Sequence, residues 1–292
     1  MPSPNSALSI MDRFLCVVER NYLTGNLQDL MVPEYTNANN NEHEATISTG
    51  VVVIRNGTVG NINSTMTGTT RPSKLQSLKL GSNFFTGTIP AELGATLRGP
   101  LAVLSLSNNR LVGTVPKESM GSLSHLRRLD LSGNAFIGTI PDDIFLQLSQ
   151  LHDLDVSGNL FSGTLFGDNI PVDTIMDRLL AAAQGGGNDE YPNADHHLGQ
   201  QSLTQRFDFS SNNFGGSLPT EIGVIFSTYY SNVTHLNFGS NRLTGTIPSE
   251  IGLLSSTLQY LDLSSNQLDD NNNNDLHQRI LKLLPNLKVL RL

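Results

Sequence analysis

Residues 126–141 read LRRLDLSGNAFIGTIP, and this stretch decides the fold of the chain. Its letters follow the pattern L-x-x-L-x-L-x-x-N-x-[LF]-x-G-x-[IL]-P, and a weaker copy begins at Thr204. Clear copies begin at Leu75, Leu101, Leu151, Val233 and Leu258. A pattern of this length that recurs along a chain predicts one structural unit stacked many times.

The apolar positions of the pattern predict a short strand followed by a return of the chain. Leu129 and Leu131 are two residues apart, so both side chains face the same side of an extended segment. Leu126 precedes that segment, and Phe136 and Ile140 bring the chain back past it. One such coil cannot bury five apolar side chains alone, whereas stacked coils bury them in one continuous core.

The polar position predicts the turn. Asn134 stands where the strand must turn, and its amide can satisfy backbone groups freed at the turn and in the adjacent coil. Gly138 allows a tight backbone path, and Pro141 starts the next return. The corresponding turn asparagines are Asn83, Asn109, Asn134, Asn159, Asn212, Asn241 and Asn266. Their separations of 26, 25, 25, 53, 29 and 25 residues indicate one insertion and one four-residue addition around 227–231.

This pattern resembles the plant-type leucine-rich repeat, whose second half reads G-x-I-P. That repeat occurs in receptor-like kinases, receptor-like proteins and polygalacturonase-inhibiting proteins. The resemblance covers about residues 75–292 apart from the insertion. It implies an α/β solenoid shaped as a curved, right-handed horseshoe, with a parallel β-sheet on the concave side and an irregular or short-helical convex side.

We expect residues 1–50 to form a divergent N-terminal cap and polar loop, and residues 51–292 to form the solenoid. An inserted helix and loop are expected at 166–202. Residues 1–33 allow either a degenerate first coil, with Cys16 and Val18 in its strand, or a helix over 6–19. Residues 51–70 allow two registers, and both place the first strand of the solenoid between residues 51 and 62.

The C-terminal part departs from the pattern. Residues 269–275 read DDNNNND and predict a longer polar turn. An amphipathic helix is then expected over 276–284, with Leu276, Ile280, Leu283 and Leu284 facing inward. The chain stops at Leu292, on a strand leucine of a further coil. Because an uncapped solenoid end exposes its core, we expect the chain to be a fragment of a longer protein.

Composition argues against several classes of function. The net charge is −8 and only 15% of the 292 residues are charged, which argues against binding to nucleic acid or to an anionic membrane surface. No run of 18 apolar residues occurs, so we expect no membrane insertion within this chain. The single cysteine, Cys16, excludes a disulfide within the chain. Sequons at Asn56, Asn63 and Asn232 are no more frequent than chance predicts in so asparagine-rich a chain.

No arrangement of residues predicts catalysis, a metal or a cofactor. The seven histidines are scattered, and neither a phosphate-binding loop nor a nucleophile elbow is present. His43 between two glutamates, and the sequence Asp195-His196-His197, are interpreted as solvated polar segments because no further ligands accompany them at metal-site spacing.

The positions between the buried leucines form two outward-facing stripes, since strands of adjacent coils lie ~4.8 Å apart. The variable stripe precedes the second leucine and consists of Ser77, Val103, Arg128, Asp153, Arg206, His235, Tyr260 and Val289. The aspartate stripe lies between the second and third leucines and consists of Lys79, Ser105, Asp130, Asp155, Asp208, Asn237, Asp262 and Arg291. Because L-D-L-S is the common spelling of the repeat, the aspartates are interpreted as structural.

Partner contact is therefore assigned to less stereotyped positions of the concave face: Arg127, Arg128, Asp153, Arg206, His235 and Tyr260. The predicted function is non-enzymatic binding of a protein or peptide, and the resemblance implies a receptor-like or secreted recognition protein at the cell surface or outside the cell. One alternative is a cytoplasmic interaction scaffold, which suits the single cysteine. Another, from the resemblance, is an inhibitor of a secreted hydrolase.

Overall fold

The structure, a computed structural model, describes residues 14–17, 24–27, 52–55, 58–61, 75–97, 99–165, 204–230, 232–269 and 276–292. Three predicted segments lie outside these ranges, as do the sequons at Asn56 and Asn63. The segments are the polar part of residues 1–50, at 34–50, with the sequence around His43; the insertion at 166–202 with its helix and its Asp195-His196-His197 sequence; and most of the polar turn at 269–275.

Every described coil contributes one strand to a nine-stranded parallel sheet. With strands numbered in chain order, its members are β1 (Phe14–Val17), β5 (Leu75–Lys79), β7 (Val103–Ser105), β9 (Arg128–Asp130), β11 (Asp153–Asp155), β13 (Gln205–Asp208), β15 (Val233–Asn237), β17 (Tyr260–Asp262) and β19 (Val289–Arg291). Strands that follow one another along the solenoid are neighbours in the sheet, so the predicted α/β leucine-rich repeat solenoid is confirmed.

A second set of short strands follows the turn asparagines. Six of them form a parallel sheet: β8 (Val112–Gly113), β10 (Ala135–Gly138), β12 (Leu160–Gly163), β14 (Asn213–Ser217), β16 (Arg242–Gly245) and β18 (Gln267–Leu268). A four-stranded sheet at the N-terminal end contains β2 (Thr24–Asn26), β3 (Val52–Arg55), β4 (Thr58–Asn61) and β6 (Phe84–Thr86).

Short helices return the chain from the second set of strands to the next coil. They are α1 (Leu93–Thr96), α2 (Lys117–Gly121), α3 (Asp143–Gln147), α4 (Glu221–Tyr229), a 3₁₀ helix (Ser249–Leu254) and α5 (Leu276–Leu283). The amphipathic C-terminal helix is confirmed: in and just after α5, Ile280 and Leu284 are buried, and Leu276 and Leu283 pack against the core.

The four-residue addition lengthens α4 to nine residues, against four or five in α1 to α3. The added turn contributes to an aromatic cluster in the core. The rings of Phe226 and Tyr230 lie 4.7 and 4.8 Å from the ring of Phe207. The hydroxyl of Tyr230 donates to the carbonyl oxygen of Phe145 at 3.3 Å, so the buried phenol is satisfied.

The core is one continuous cluster that runs along the stack. In the coil that begins at Leu126, the side chains of Leu129, Leu131 and Phe136 are fully buried, as the period of the pattern predicts. Phe136 stacks on Phe161 of the next coil at 6.1 Å, and Phe161 stacks on Phe214 at 6.2 Å. Each coil therefore completes the core of its neighbours.

A ladder of turn asparagines connects the coils through their backbones. Asn212 shows the arrangement: its Nδ2 donates to the carbonyls of Phe209 and Ser210 in its own turn and to Val156 of the preceding coil. Its Oδ1 accepts the backbone N–H of Phe161 at 3.1 Å. The same four bonds recur at Asn109, Asn134, Asn159, Asn241 and Asn266.

The turn requires a left-handed backbone at the residue before each asparagine. These residues have φ between 52° and 63°, and they are Ser82, Asn108, Gly133, Gly158, Ser211, Ser240 and Ser265. Only two of the seven are glycine, so at the other five a side chain occupies a conformation that costs roughly 1–2 kcal/mol. The hydrogen bonds of the asparagine ladder and the stacked core offset that cost.

The N-terminal part corrects two expectations. The nine-stranded sheet begins with β1, which pairs with β5, so the degenerate first coil is observed and the predicted helix over 6–19 is wrong at residues 14–17. The predicted first strand of the solenoid between residues 51 and 62 is also wrong, because β3 and β4 pair antiparallel with each other. The nine-stranded sheet therefore already has a strand within residues 1–50, and the expected division of the chain at residue 50 stays a prediction.

The physical reason lies in the sequence between β3 and β4. Asn56-Gly57 is the residue pair most typical of tight hairpins, and it separates two runs of β-forming residues. Each of the two predicted registers treated only one run as a strand. The second run supplies the nearest pairing partner for the first, which removes both from the nine-stranded sheet.

Replacing Asn212 by alanine should lower the free energy of unfolding by about 2–4 kcal/mol, because buried backbone groups of two coils lose their partners. Urea unfolding measures the change. The matched control is Asn213→Ala: this neighbouring amide makes no side-chain hydrogen bond with the described residues, and we expect a loss below about 0.5 kcal/mol. Equal losses in the two variants would contradict the ladder as the source of stability.

Leu131→Ala should cost about 2–5 kcal/mol, since it leaves a cavity in the continuous core. Ile137→Ala is the control, because Ile137 is an aliphatic side chain of the same turn that is 48% exposed. Its truncation should cost less than about 1 kcal/mol. A Leu131→Ala variant that unfolds at the same urea concentration as Ile137→Ala would show that the stacked core is not the main stabilising element.

Candidate functional site

Both stripes are continuous on the nine-stranded sheet. In the variable stripe, Ser77 pairs with Val103, Val103 with Arg128, and Arg128 with Asp153 across neighbouring strands. The series continues without a break to Val289. The aspartate stripe keeps the same register, two residues further along each strand.

A hollow of about 450 Å³ lies over five neighbouring strands, β9, β11, β13, β15 and β17. Its lining residues are Arg128, Asp153, Leu154, Asp155, Arg206, Phe207, Asp208, His235, Asn237 and Tyr260. Five of the six residues assigned to partner contact are thus brought together. Arg127 is not among the lining residues: it is exposed just before β9, and its backbone bonds to Ala102, His152 and Asp153.

Sequence reasoning left three polar lining residues out of the site. Asp155, Asp208 and Asn237 belong to the aspartate stripe, which was interpreted as structural, yet they line the same hollow. The signal that could have found them is their spacing, since a residue two positions along a strand points to the same face. The hollow is therefore built from both stripes.

One end of the hollow contains an arginine that is already paired. Arg128 Nη1 lies 3.5 Å from Asp153 Oδ2, and Arg128 Nη2 lies 3.8 Å from Asp130 Oδ2. The Arg128 side chain is 51% exposed, so these pairs contribute at most about 1 kcal/mol to stability. Their main effect is that the positive charge of the Arg128 guanidinium is neutralised by the negative charge of the Asp153 carboxylate.

The other end is aromatic. The rings of His235 and Tyr260 stack with centroids 5.6 Å apart, and the Arg291 guanidinium lies 5.7 Å from the centroid of the Tyr260 ring. The Tyr260 hydroxyl donates to Asp262 Oδ2 at 3.0 Å, and Arg291 Nη1 approaches the same oxygen at 3.3 Å. Burial, followed by the charge of Arg206, lowers the pKa of His235 below its ordinary value.

The aspartates of the aspartate stripe do cap the turns that follow them. In Asp155, Oδ1 accepts both the backbone N–H and the hydroxyl of Ser157, at 3.0 and 2.6 Å. The same pair of bonds from the serine two residues on occurs at Asp130, Asp208 and Asp262. In each of these carboxylates the serine bonds use Oδ1, so Oδ2 remains for other partners.

The partners of that second oxygen differ. Asp208 Oδ2 accepts from Asn237 Nδ2 at 2.9 Å, and Asp262 Oδ2 accepts from Tyr260 and Arg291. Asp155 Oδ2 has no such partner among the described residues. Burial, opposed by the bonds from Ser157 and reinforced by nearby carboxylates, raises the pKa of Asp155. Burial also acts on Asp262, but there the hydrogen bonds from Ser264, Tyr260 and Arg291 outweigh it and lower the pKa.

The described ranges contain neither a cluster of metal-binding side chains nor a helix that could span a membrane. No three histidine, cysteine, aspartate or glutamate side chains come close enough there to hold an ion. None of the helices in the same ranges combines the length and the apolar character needed to cross a bilayer. Asn232, which carries the one sequon in the described part of the chain, is half-buried between α4 and β15.

The raised pKa of Asp155 and the lowered pKa of Asp262 predict opposite effects of the two aspartate-to-asparagine substitutions on stability. Ionised Asp262 stabilises the fold above its ordinary pKa of 3.8, and this contribution is lost as pH falls through the lowered folded-state pKa. Ionised Asp155 instead costs stability above 3.8. At pH 7, Asp262→Asn should lower the free energy of unfolding by about 1 kcal/mol, and Asp155→Asn should leave it unchanged or raise it by less than about 1 kcal/mol.

Urea unfolding of both variants at pH 7 and pH 3 measures these effects. The difference from the wild-type chain should shrink at pH 3, where much of the carboxylate population is protonated. A larger loss at pH 7 for Asp155→Asn than for Asp262→Asn would contradict the assignment of an uncompensated charge to Asp155.

Comparison with known proteins gives matches to leucine-rich repeat family models. Models described as leucine rich repeat match residues 99–161, 254–271, 74–95 and 232–254. No curated protein matches the chain.

Several solved plant receptor structures are similar. The Arabidopsis receptor kinase HAESA, in complex with the peptide hormone IDA and the co-receptor SERK1, is 28% identical over 67% of this chain and 26% of that chain, with a TM-score of 0.48. A TDR receptor is 26% identical over 75% of this chain and 34% of that one, with a TM-score of 0.49. The plant peptide hormone receptor RGFR1, in complex with RGF2, is 32% identical over 67% and 29%, with a TM-score of 0.42.

The present chain spans about a quarter to a third of the length of these receptor chains. Its own repeats keep the leucines, the turn asparagine and, in several coils, the G-x-I-P ending, and the family models match them at several places along the chain. The protein therefore belongs to the leucine-rich repeat family, and its repeats are of the plant type.

Proposed function

We propose that this chain recognises a protein or peptide on the outer face of the nine-stranded sheet, with the hollow as the centre of the contact. The observation that carries the proposal is the composition of the hollow. Side chains of both charge signs and two stacked rings lie together on five neighbouring strands, directly above the apolar core. Arginine and tyrosine are the residues that most often anchor protein interfaces.

The charge balance supports a protein ligand over a nucleic acid. The hollow contains two arginines against three aspartates, so it offers no excess of positive charge to a phosphate backbone. The side chains that face the hollow are charged, polar or aromatic, because Leu154 and Phe207 are buried in the core and contribute little exposed surface to it. That arrangement suits a protein segment, which presents hydrogen-bonding groups of both kinds.

The same proposal includes a non-enzymatic role within a receptor-like or secreted protein, at the cell surface or outside the cell. The plant-type repeats of the chain support this placement. A cytoplasmic scaffold is the second candidate, and the single cysteine favours it, because disulfides are rare in that compartment. Both candidates use the hollow in the same way, so one binding experiment serves both.

Selection from a phage-displayed library of random peptides on the immobilised wild-type chain tests the proposal. We expect enriched peptides whose affinity falls more than about tenfold when Arg128 and Arg206 are both changed to glutamate, because charge complementarity at the centre of the contact is reversed. Affinity is measured by titration with synthetic, C-terminally amidated peptides, and the melting temperature of each variant is recorded.

The matched control reverses two arginines elsewhere. Arg110→Glu with Arg242→Glu changes the net charge by the same amount, and both side chains are exposed beside or on the six-stranded sheet. This variant should keep its affinity. The proposal is wrong if no peptide is enriched, or if a folded Arg128→Glu/Arg206→Glu variant binds the selected peptides as well as the control does.

A further inference from the structure

The two arginines of the hollow differ in whether their charge is already matched. Arg128 lies within 4 Å of the carboxylates of Asp130 and Asp153. Arg206, two strands away, has no carboxylate of the described residues within the same distance and makes no side-chain hydrogen bond to them. Its side chain is exposed at the mouth of the hollow, so its five N–H donors remain available.

The neighbours of Arg206 explain why its guanidinium forms no ion pair with the described residues. Asp153 is its partner in register on β11, and that carboxylate is taken by Arg128. On the same strand, Asp208 has one oxygen bonded by Ser210 and the other by Asn237. His235 is its partner in register on β15, and an imidazole offers no carboxylate to pair with the guanidinium.

We propose that the Arg206 guanidinium binds the carboxylate of a single aspartate or glutamate side chain in the protein segment that docks in the hollow. This inference rests on the proposed function, since it assigns one contact within the same site. Arg128 is not assigned this contact, because recruiting it would separate two existing ion pairs.

The geometry of a guanidinium favours this ligand. Arginine forms two parallel N–H···O bonds with a carboxylate, and such charged pairs are roughly twice as strong as neutral hydrogen bonds. Because Arg206 is exposed and its N–H groups bond to none of the described residues, both N–H donors needed for such a pair are available. Arg206 lies near the centre of the hollow, with β9 and β11 on one side and β15 and β17 on the other.

The aspartates of the hollow limit the ligand to one acidic group. Asp155 and Asp208 are neighbours in register and both line the hollow, and Asp155 Oδ2 has no partner among the described residues. A second ligand carboxylate would meet this negative charge, and like charges in contact are unfavourable. The segment therefore carries an isolated acidic residue, and a run of acidic residues is excluded.

The experiment uses the peptides enriched on the wild-type chain, as C-terminally amidated synthetic peptides, so that the only carboxylates are side chains. We expect one position to be enriched in aspartate or glutamate. Changing that residue to its amide should weaken binding to the wild-type chain about 10- to 100-fold and should have less than about a twofold effect on binding to Arg206→Ala. A peptide of glutamates alone should not bind.

Arg128→Ala combined with Asp153→Asn is the matched control variant, since it removes the paired arginine of the same stripe without releasing the Asp153 carboxylate toward Arg206. The acidic residue of the peptide should keep its full effect on binding to this double variant. Arg206→Lys should recover part of the affinity, because it restores the charge without the planar fork. The melting temperature of Arg206→Ala should equal that of the wild-type chain, since no ion pair with the described residues is lost.

The outcomes separate this inference from the proposed function. Peptides that bind and lose affinity on reversal of both arginines, yet show no acidic residue coupled to Arg206, overturn the inference alone. Coupling to Arg128 in place of Arg206, or binding of the all-glutamate peptide, overturns it as well. A library that yields no peptide dependent on the hollow overturns the proposed function and the inference together.

Discussion

The fold depends on the side-chain amide of the turn asparagine. In Asn212 and its equivalents, one amide donates to carbonyls of two successive coils and accepts an N–H from the earlier coil. A strand that turns within the stack would otherwise leave buried backbone groups unpaired, at a cost of about 1–3 kcal/mol each. Apolar burial alone cannot provide this, because it is not directional. The amide thus fixes each coil against its neighbour, and the sheet register follows.

The fixed register arranges the side chains of the outer face in rows and columns, here called the grid, so that charged residues of neighbouring strands lie side by side. Arg128 and Asp153 are far apart along the chain, yet they are neighbours in the sheet and form an ion pair. The same grid places Asp155 beside Asp130 and Asp208, where its charge stays uncompensated. The proposed recognition uses the positions whose charge the fold leaves unpaired among the described residues, above all Arg206.

The N-terminal region shows the limit of reading a pattern locally. Residues 52–61 contain two runs that each fit a strand of the repeat, and the spacing of apolar residues cannot tell which partner a strand will choose. The structure pairs the runs with each other and gives the first place in the nine-stranded sheet to Phe14–Val17. That strand pairs with Leu75–Lys79, a contact between segments widely separated in sequence.

The sequence by itself determined the repeat, the buried leucines, the turn asparagines and the two stripes, because strand periodicity is local and decides which side chains face inward. It could also name five of the lining residues of the hollow. Only the tertiary structure decided which arginine is paired, which aspartate lacks a partner and where the sheet begins. Those features depend on distances of a few ångströms between atoms of different coils, such as the 3.5 Å between Arg128 and Asp153, and a spacing along the chain does not specify them.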